Sequence, residues 1–158
     1  MINFRKITWD NFDECINLQL TDEQKGFLAS NVYSLAQSYV ALLNDEMPAM
    51  TFAIYDDDTM IGFIMMYHDT AEENDYGEEA YGILRFMIDR RYQNKGYGTR
   101  AMEKALEYIK TFPQGKATAV YISYDPGNNV ARHLYAKLGF KEIGINEEAE
   151  EVVARLEL

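Results

Sequence analysis

Two stretches carry residues whose types and spacing can do chemistry. In RYQNKGYGTRAM, residues 91–102, Gly96 and Gly98 sit among Gln93, Asn94, Lys95 and Arg100. A helix start leaves about four backbone N–H groups without partners and carries the positive end of the helix dipole, so it can hold an anion such as a phosphate. Glycines remove the side chains that would keep a phosphate from those N–H groups. The same residues also suit a tight strand-to-helix turn that holds nothing. In NNVARHLYAKLGF, Asn128 and Tyr135 stand seven residues apart, close to two helical turns, which puts them on nearly one helix face. A phenol there can serve as a general acid or pack as an ordinary aromatic.

The kind of phosphate ligand is narrowed by what the glycines do not spell. No glycine stands five residues before a Gly-Lys-Ser/Thr element, which argues against a P-loop nucleotidase. GYGTRA meets a loose dinucleotide-binding pattern, but it falls late in the chain, with too little sequence after it for a second half-sheet. Nicotinamide binding stays as a rival reading. Cys15, His68 and His133 form no cluster in sequence, so no metal site is expected.

The elements that must position these residues alternate. INFRKIT (2–8) reads as a strand, and Thr8 or Asp10 can cap a helix running to about Leu20. Residues 22–43 read as helical with a break near Ser30 and Asn31, where a new cap is available. Residues 50–56 and 59–68 form a hairpin around the acidic turn Asp56–Asp58. AYGILRFMID (80–89) is nearly continuous in large apolar groups, as in a strand covered on both faces, and Gly82 within it signals a bulge or a close approach. From Thr99 the positions Met102, Ala105, Leu106 and Ile109 recur at helical spacing to about Lys110. Then follow a strand (116–124), a DPGNN turn, a short helix stopped by Gly139, and a strand pair in the tail. The pattern is mixed α/β, with the glycine turn between a central strand and a helix.

Composition bounds the partners. With 158 residues, 47% hydrophobic and 26% charged, the chain is expected to form one folded domain over residues 1–158. A net charge of −11 argues against binding nucleic acid through phosphates. No apolar run reaches the roughly 20 residues of a membrane span, no signal-like segment opens the chain, and the cytoplasm is the expected location. Acidic runs at 56–58, 69–79 and 146–151 are either solvated loops or a field that gathers a cationic ligand.

QNKGYG resembles the Q/R-x-x-G-x-G/A motif of the acetyl-CoA-dependent N-acetyltransferases of the GNAT superfamily. NNVARHLYAKLGF resembles that superfamily's N-x-x-A-x-x-L-Y-x-x-x-G-F signature. Both lie on the elements the superfamily uses, in detail over residues 80–143. LRFMIDRRYQNKGYG and ASNVYSLAQSY are further similar to bacterial spermine/spermidine acetyltransferases. The resemblance implies an α/β GNAT fold, with a mixed sheet of about six or seven strands, about four helices, and the fourth and fifth strands splayed into a slot. It implies acetyl-CoA as cosubstrate and no metal. Phe86, Met87 and Ile88 would hold the pantetheine arm by backbone bonds, and Gln93, Asn94, Lys95, Gly96, Tyr97, Gly98 and Thr99 would hold the pyrophosphate. Asn128, Asn129, Val130 and Ala131 would flank the arm.

For catalysis the resemblance places Tyr135 as the acid that protonates the departing thiolate, and an amide near Met87 or Ile88 as the oxyanion donor, worth about 3 kcal/mol. An alkylammonium near pKa 10 also needs a base. Some polyamine acetyltransferases carry a glutamate where this chain has Leu84, followed by the cationic Arg85, so the base is open: Glu79 is the candidate, with Glu78, a carboxylate in 69–75 or a group of the second helix as alternatives. The expected activity is acetyl transfer to a small primary amine, a polyamine such as spermidine or spermine first. Another amine, an aminoglycoside, a protein N-terminus and a non-catalytic acetyl-CoA-binding module are the alternatives. A homodimer is expected.

Overall fold

The computed structural model describes all 158 residues. Its strands are β1 (Ile2–Arg5), β2 (Met50–Asp56), β3 (Thr59–Asp69), β4 (Ala80–Ile88), β5 (Ala119–Tyr124), β6 (Lys141–Asn146) and β7 (Glu151–Glu157). They form one seven-stranded sheet in the order β1-β2-β3-β4-β5-β7-β6. Only β4 and β5 run parallel; every other pairing is antiparallel. The helices are α1 (Phe12–Asn17), α2 (Asn31–Asn44), α3 (Tyr97–Ile109) and α4 (Asn129–Lys137).

Alternation along the strands sorts the apolar side chains onto two faces. Ile83, Val120, Ile122 and Val152 meet Ala101, Met102, Ala105, Leu106 and Ile109 of α3 and Tyr135 of α4 in the larger core. Ala53, Phe63, Met65 and Met87 meet Cys15 of α1 on the other face, with Leu35 of α2 packed beside them. The apolar spacing of α3 is therefore its buried stripe, each large side chain stabilising by about 1.5–3 kcal/mol.

β4 and β5 pair over Ala80–Ile83 and Ala119–Ile122 and then part. Opposite the point of parting, the register between β3 and β4 slips, Met65 facing Arg85 and Met66 facing Ile83, so Leu84 is an extra residue bulging from β4. A bulge bends its strand and raises the local twist, which turns β4 away from β5. Gly82 is not the bulge. A Cβ there would lie 2.0 Å from the Tyr67 ring, so this glycine exists to let that ring cross the strand.

Several local expectations are corrected. Residues 21–27 form turns, not a helix, with Gln24 N–H on Thr21 O and Phe27 N–H on Gln24 O, while the cap at Ser30 is real and takes the Tyr33 N–H at 3.1 Å. α1 stops at Asn17 because the chain beyond it is captured by the end of β4: the Gln19 N–H donates to Asp89 Oδ2 and the Arg90 N–H to Gln19 O. Neither Thr8 nor Asp10 caps it; Asn11 holds that position without a side-chain cap bond. α3 begins at Tyr97 instead of Thr99, β5 at Ala119, and β1 ends at Arg5. A sheet with a single parallel pair also has no doubly wound half, which removes the dinucleotide-fold rival.

Candidate active site

Where β4 leaves β5 its backbone loses a partner on one side. The Asp89 N–H donates to Ile61 O at 2.8 Å, and Met87 faces Phe63 across the ladder. In an antiparallel ladder hydrogen-bonded and non-hydrogen-bonded pairs alternate, so the Met87 amide points to β3 while those of Phe86 and Ile88 point into the slot. Of the three residues expected to hold an arm by backbone bonds, two therefore face it. Met87 instead buries its side chain in the smaller core.

Asp89 locks the end of this strand. Burial pushes its carboxyl up, but bonds from the Arg91 side chain and from the Gln19 and Arg91 amides outweigh that and hold it ionised. Gln93 donates to Ile88 O at 2.9 Å and to Gln24 Oε1 at 2.8 Å, tying the turn both to β4 and to the loop before α2. Asn94 (φ 60°) and Gly96 (φ 80°) are left-handed, which aims the first amides of α3 outward. A Cβ on Gly96 would stand in open space, so this glycine is required by its backbone and not by crowding. Lys95 turns back to Arg91 O and Tyr97 donates to Asp56 Oδ2, and neither residue lines the cavity.

That cavity, of about 870 Å³, passes through the slot from one face of the sheet to the other. Phe86, Ile88, Gln93, Asn94, Gly96, Gly98 and Thr99 form one wall and Asn128, Val130, Ala131 and Tyr135 the other. Asn128 caps α4 by accepting the Ala131 N–H at 3.2 Å, so its first role is structural; Asn129 lies outside the cavity. Tyr135 is 6% exposed, packed on Tyr124 and Phe140, and burial raises its phenol well above the usual range, which keeps the proton on the oxygen. Unpaired strand amides leading to an open, glycine-started helix fit an extended amide-bearing arm that ends in a pyrophosphate.

Over residues 9–140 the chain matches the Acetyltransferase (GNAT) family. It belongs to that family. A spermine/spermidine N(1)-acetyltransferase of Bacillus subtilis is 25% identical to this GNAT protein over 142 residues, spanning 89% of this chain and 88% of the relative. Among solved structures, the PaiA N-acetyltransferase of Thermoplasma acidophilum in complex with coenzyme A superposes with a TM-score of 0.70 at 17% identity, over 100% and 99% of the two chains. An aminoglycoside N(6')-acetyltransferase of Legionella pneumophila does so with a TM-score of 0.74 at 18% identity, over 99% and 91%. The GNAT protein is thus an N-acetyltransferase with the fold its motifs imply.

Not every expected residue reaches the site of this GNAT protein. Glu79 precedes β4 at its paired end, accepts the Ala71 N–H and lies 3.5 Å from His68, and it does not line the cavity. At about 3.3 Å per residue, the seven residues from Glu79 to Phe86 put it on the order of 20 Å from the slot amides, too far for a base acting directly or through one water. Glu78 is engaged by Arg155, Thr118 and Tyr121, which hold it down at about 2. Asp56, Asp57 and Asp58 pair with the N-terminus and Arg5, so part of the acidic surface is structural. No group of three or more potential metal ligands occurs, and no helix is long and apolar enough to cross a membrane. Sequence reasoning missed Tyr67, Glu151 and the Leu84 bulge; only cross-strand register brings them to the cavity.

Proposed function

We propose that this protein transfers the acetyl group of acetyl-CoA to a primary amine of a polyamine such as spermidine or spermine. The observation that carries the reading is the slot itself: outward amides at Phe86 and Ile88 continue into the open start of α3, with the buried Tyr135 phenol in the same cavity. Bound there, acetyl-CoA supplies an activated thioester. The slot amides orient the arm and offer a donor where negative charge develops on the thioester oxygen. The amides of Gly98 and Thr99 with the Gly96 turn neutralise the phosphates, and Tyr135 holds a proton for the departing sulfur.

The acceptor reading rests on a second groove of about 540 Å³ between α2 and β3, which shares Tyr67 and Leu84 with the main cavity. Val40, Met47 and Tyr33 give it an apolar wall, Asp45 and Asp69 supply carboxylates, and no Lys or Arg lines it. That alternation suits cations separated by methylenes. The spermine/spermidine relative points the same way. Thiol release measured across polyamines, aminoglycosides and peptide N-termini tests it: spermidine or spermine should give the highest kcat/KM, and transfer to an aminoglycoside or peptide alone moves the acceptor while keeping the chemistry. Acetyl-CoA binding with no transfer to any acceptor leaves a binding module instead.

A homodimer goes with this reading. Beside the acceptor groove, α2 also exposes Val32, Tyr39 and Leu43, which do not line it, on a helix with no charged residue. On a chain of net charge −11, an uncharged apolar surface supports the reading because two copies can meet there without like-charge repulsion. Sedimentation should give twice the monomer mass, and Tyr39→Glu should return it to the monomer mass.

A further inference from the structure

The tail of the chain brings a carboxylate to the cavity that no motif singles out. Glu151 opens β7 and lines the same cavity as Tyr135. Its height is set by register. Ile83 of β4 is level with Ile122 of β5, and β5 runs two residues further to Tyr124, which pairs with Val152. Glu151 thus stands one step beyond Tyr124, which, counted from Ile83 with Leu84 as the extra residue, is the level of Phe86 and Met87, where the strands have parted.

Its face is set by alternation. Val152 and Ala154 point into the larger core together with Tyr135, and Val153 points to the opposite face with Ala80 and Tyr121. Glu151 shares the face of Val153. The slot therefore has a phenol on one side of the sheet and a carboxylate on the other. That is the arrangement required when an amine enters from one face and sulfur departs toward the other.

We propose that Glu151 is the general base that takes the proton of the acceptor ammonium, an inference that rests on the acetyl-transfer reading above. The other carboxylates near the cavity are worse placed. Glu23 lies in the loop beside Gln24, which is bonded to Gln93 at the phosphate end. Asp69 is level with Ala80, at the paired end of β4.

The charged and titratable groups around Glu151 are Arg85 from β4 and Asp125 from the turn after β5, with Tyr124, His133 and Lys137 on the facing walls. Arg85 donates to Leu84 O and Gln37 Oε1, and its Nε is buried without a partner. Burial raises the proton affinity of the Glu151 carboxyl and Asp125 adds to it, while the Arg85 charge opposes both without cancelling them. The same guanidinium disfavours an ammonium beside it and so favours the neutral amine.

Proton and electron flow balance. The ammonium proton passes to Glu151 and on to solvent. The nitrogen lone pair forms the N–C bond, the C–S bond breaks, and the sulfur takes the Tyr135 proton. The second proton shed by nitrogen restores the phenol by way of solvent, so each turnover releases one proton.

The test uses the purified protein with acetyl-CoA and the best acceptor of the panel, from pH 5 to 10. Glu151→Gln should lower kcat about 10²- to 10³-fold and lose the low-pH limb of the wild-type profile. Its acetyl-CoA Kd should stay within about twofold of wild type, by the same assignment of roles. Methoxyamine, already neutral at pH 7, should lose under about tenfold, because no proton has to be removed before attack. Glu151→Asp should recover part of the loss. Carbon-13 NMR of the glutamate carboxyls should show one that titrates above the ordinary range and vanishes in Glu151→Gln. Wild-type turnover and pH profile in Glu151→Gln, or an equal loss with both acceptors together with weakened acetyl-CoA binding, overturns the assignment. A wild-type protein that transfers acetyl to no amine overturns the reading beneath it, and does so before any variant is made.

Discussion

From Ala80 to Ile83, β4 is paired with β3 on one side and β5 on the other, whereas from Leu84 to Ile88 only its β3 side is paired. The first half contains Ala80 and Gly82, and the second has large side chains throughout and carries Arg85. The first half is scaffold, its backbone groups satisfied and its Gly82 overlaid by Tyr67. The second half leaves the amides of Phe86 and Ile88 without a strand partner, which is where the proposed reading seats the acetyl-CoA arm. One extra residue at Leu84 separates them, so a small local change in register is enough to turn a strand paired on both sides into one open on one side.

If the halves have these separate duties, changes at the open half should alter turnover or cofactor affinity with little change in Tm, and changes at the paired half the reverse. The largest effect is expected at the slot. Tyr135→Phe keeps the ring between Tyr124 and Phe140, so Tm and acetyl-CoA Kd should hold while kcat falls about 10²- to 10³-fold, some 3–4 kcal/mol of barrier. Steady-state kinetics beside a binding isotherm measures both, and unchanged turnover removes the acid role.

Next comes the paired half. Gly82→Ala drives a Cβ into the Tyr67 ring and should cost about 2–3 kcal/mol, read as a fall in Tm. Because Tyr67 also lines the acceptor groove, the KM for the amine should rise with it, while acetyl-CoA Kd stays put. A smaller effect is expected at Gly96→Ala, which forces a side chain into φ 80° at about 1–2 kcal/mol. Here acetyl-CoA Kd should weaken about tenfold if relaxation of the turn withdraws the first amides of α3, an electrostatic and hydrogen-bond loss of similar size.

The smallest effect is a pH dependence at the far end of β4. Bonds from Arg155, Thr118 and Tyr121 lower the Glu78 carboxyl to about 2. A carboxyl lowered in the folded state adds stability at pH above its unfolded value, about 4.3, and that stability is lost as pH falls toward the folded value. Thermal melts should therefore drop between about pH 5 and 2, and Glu78→Gln should flatten that slope with activity at neutral pH retained.

Much of the site was legible before the fold. QNKGYG and NNVARHLYAKLGF carry their own geometry, since a glycine turn and a helix face are local matters, and Gln93, Gly96 and Tyr135 all reach the cavity. The expected base did not. Glu79 adjoins the central strand in sequence, yet each residue along a strand adds about 3.3 Å, and the cavity lies at the other end of β4. Residues 21–27 misled for a related reason: Glu23, Gln24 and Lys25 favour a helix, but Gly26 does not, and the bond from Gln93 to Gln24 holds the segment from a distant part of the chain.

What the amino-acid order determined alone is whatever depends on short-range sterics and periodicity: the succession of strands, the glycine turn ahead of α3, the short helix stopped by Gly139 and the family to which they belong. What only the tertiary structure decided is which side of β4 each amide faces, where β4 parts from β5, and that Glu151, from the far end of the chain, stands across the slot from Tyr135. Those facts follow from strand register, and register is set by which distant side chains pack together, a quantity no local stretch contains.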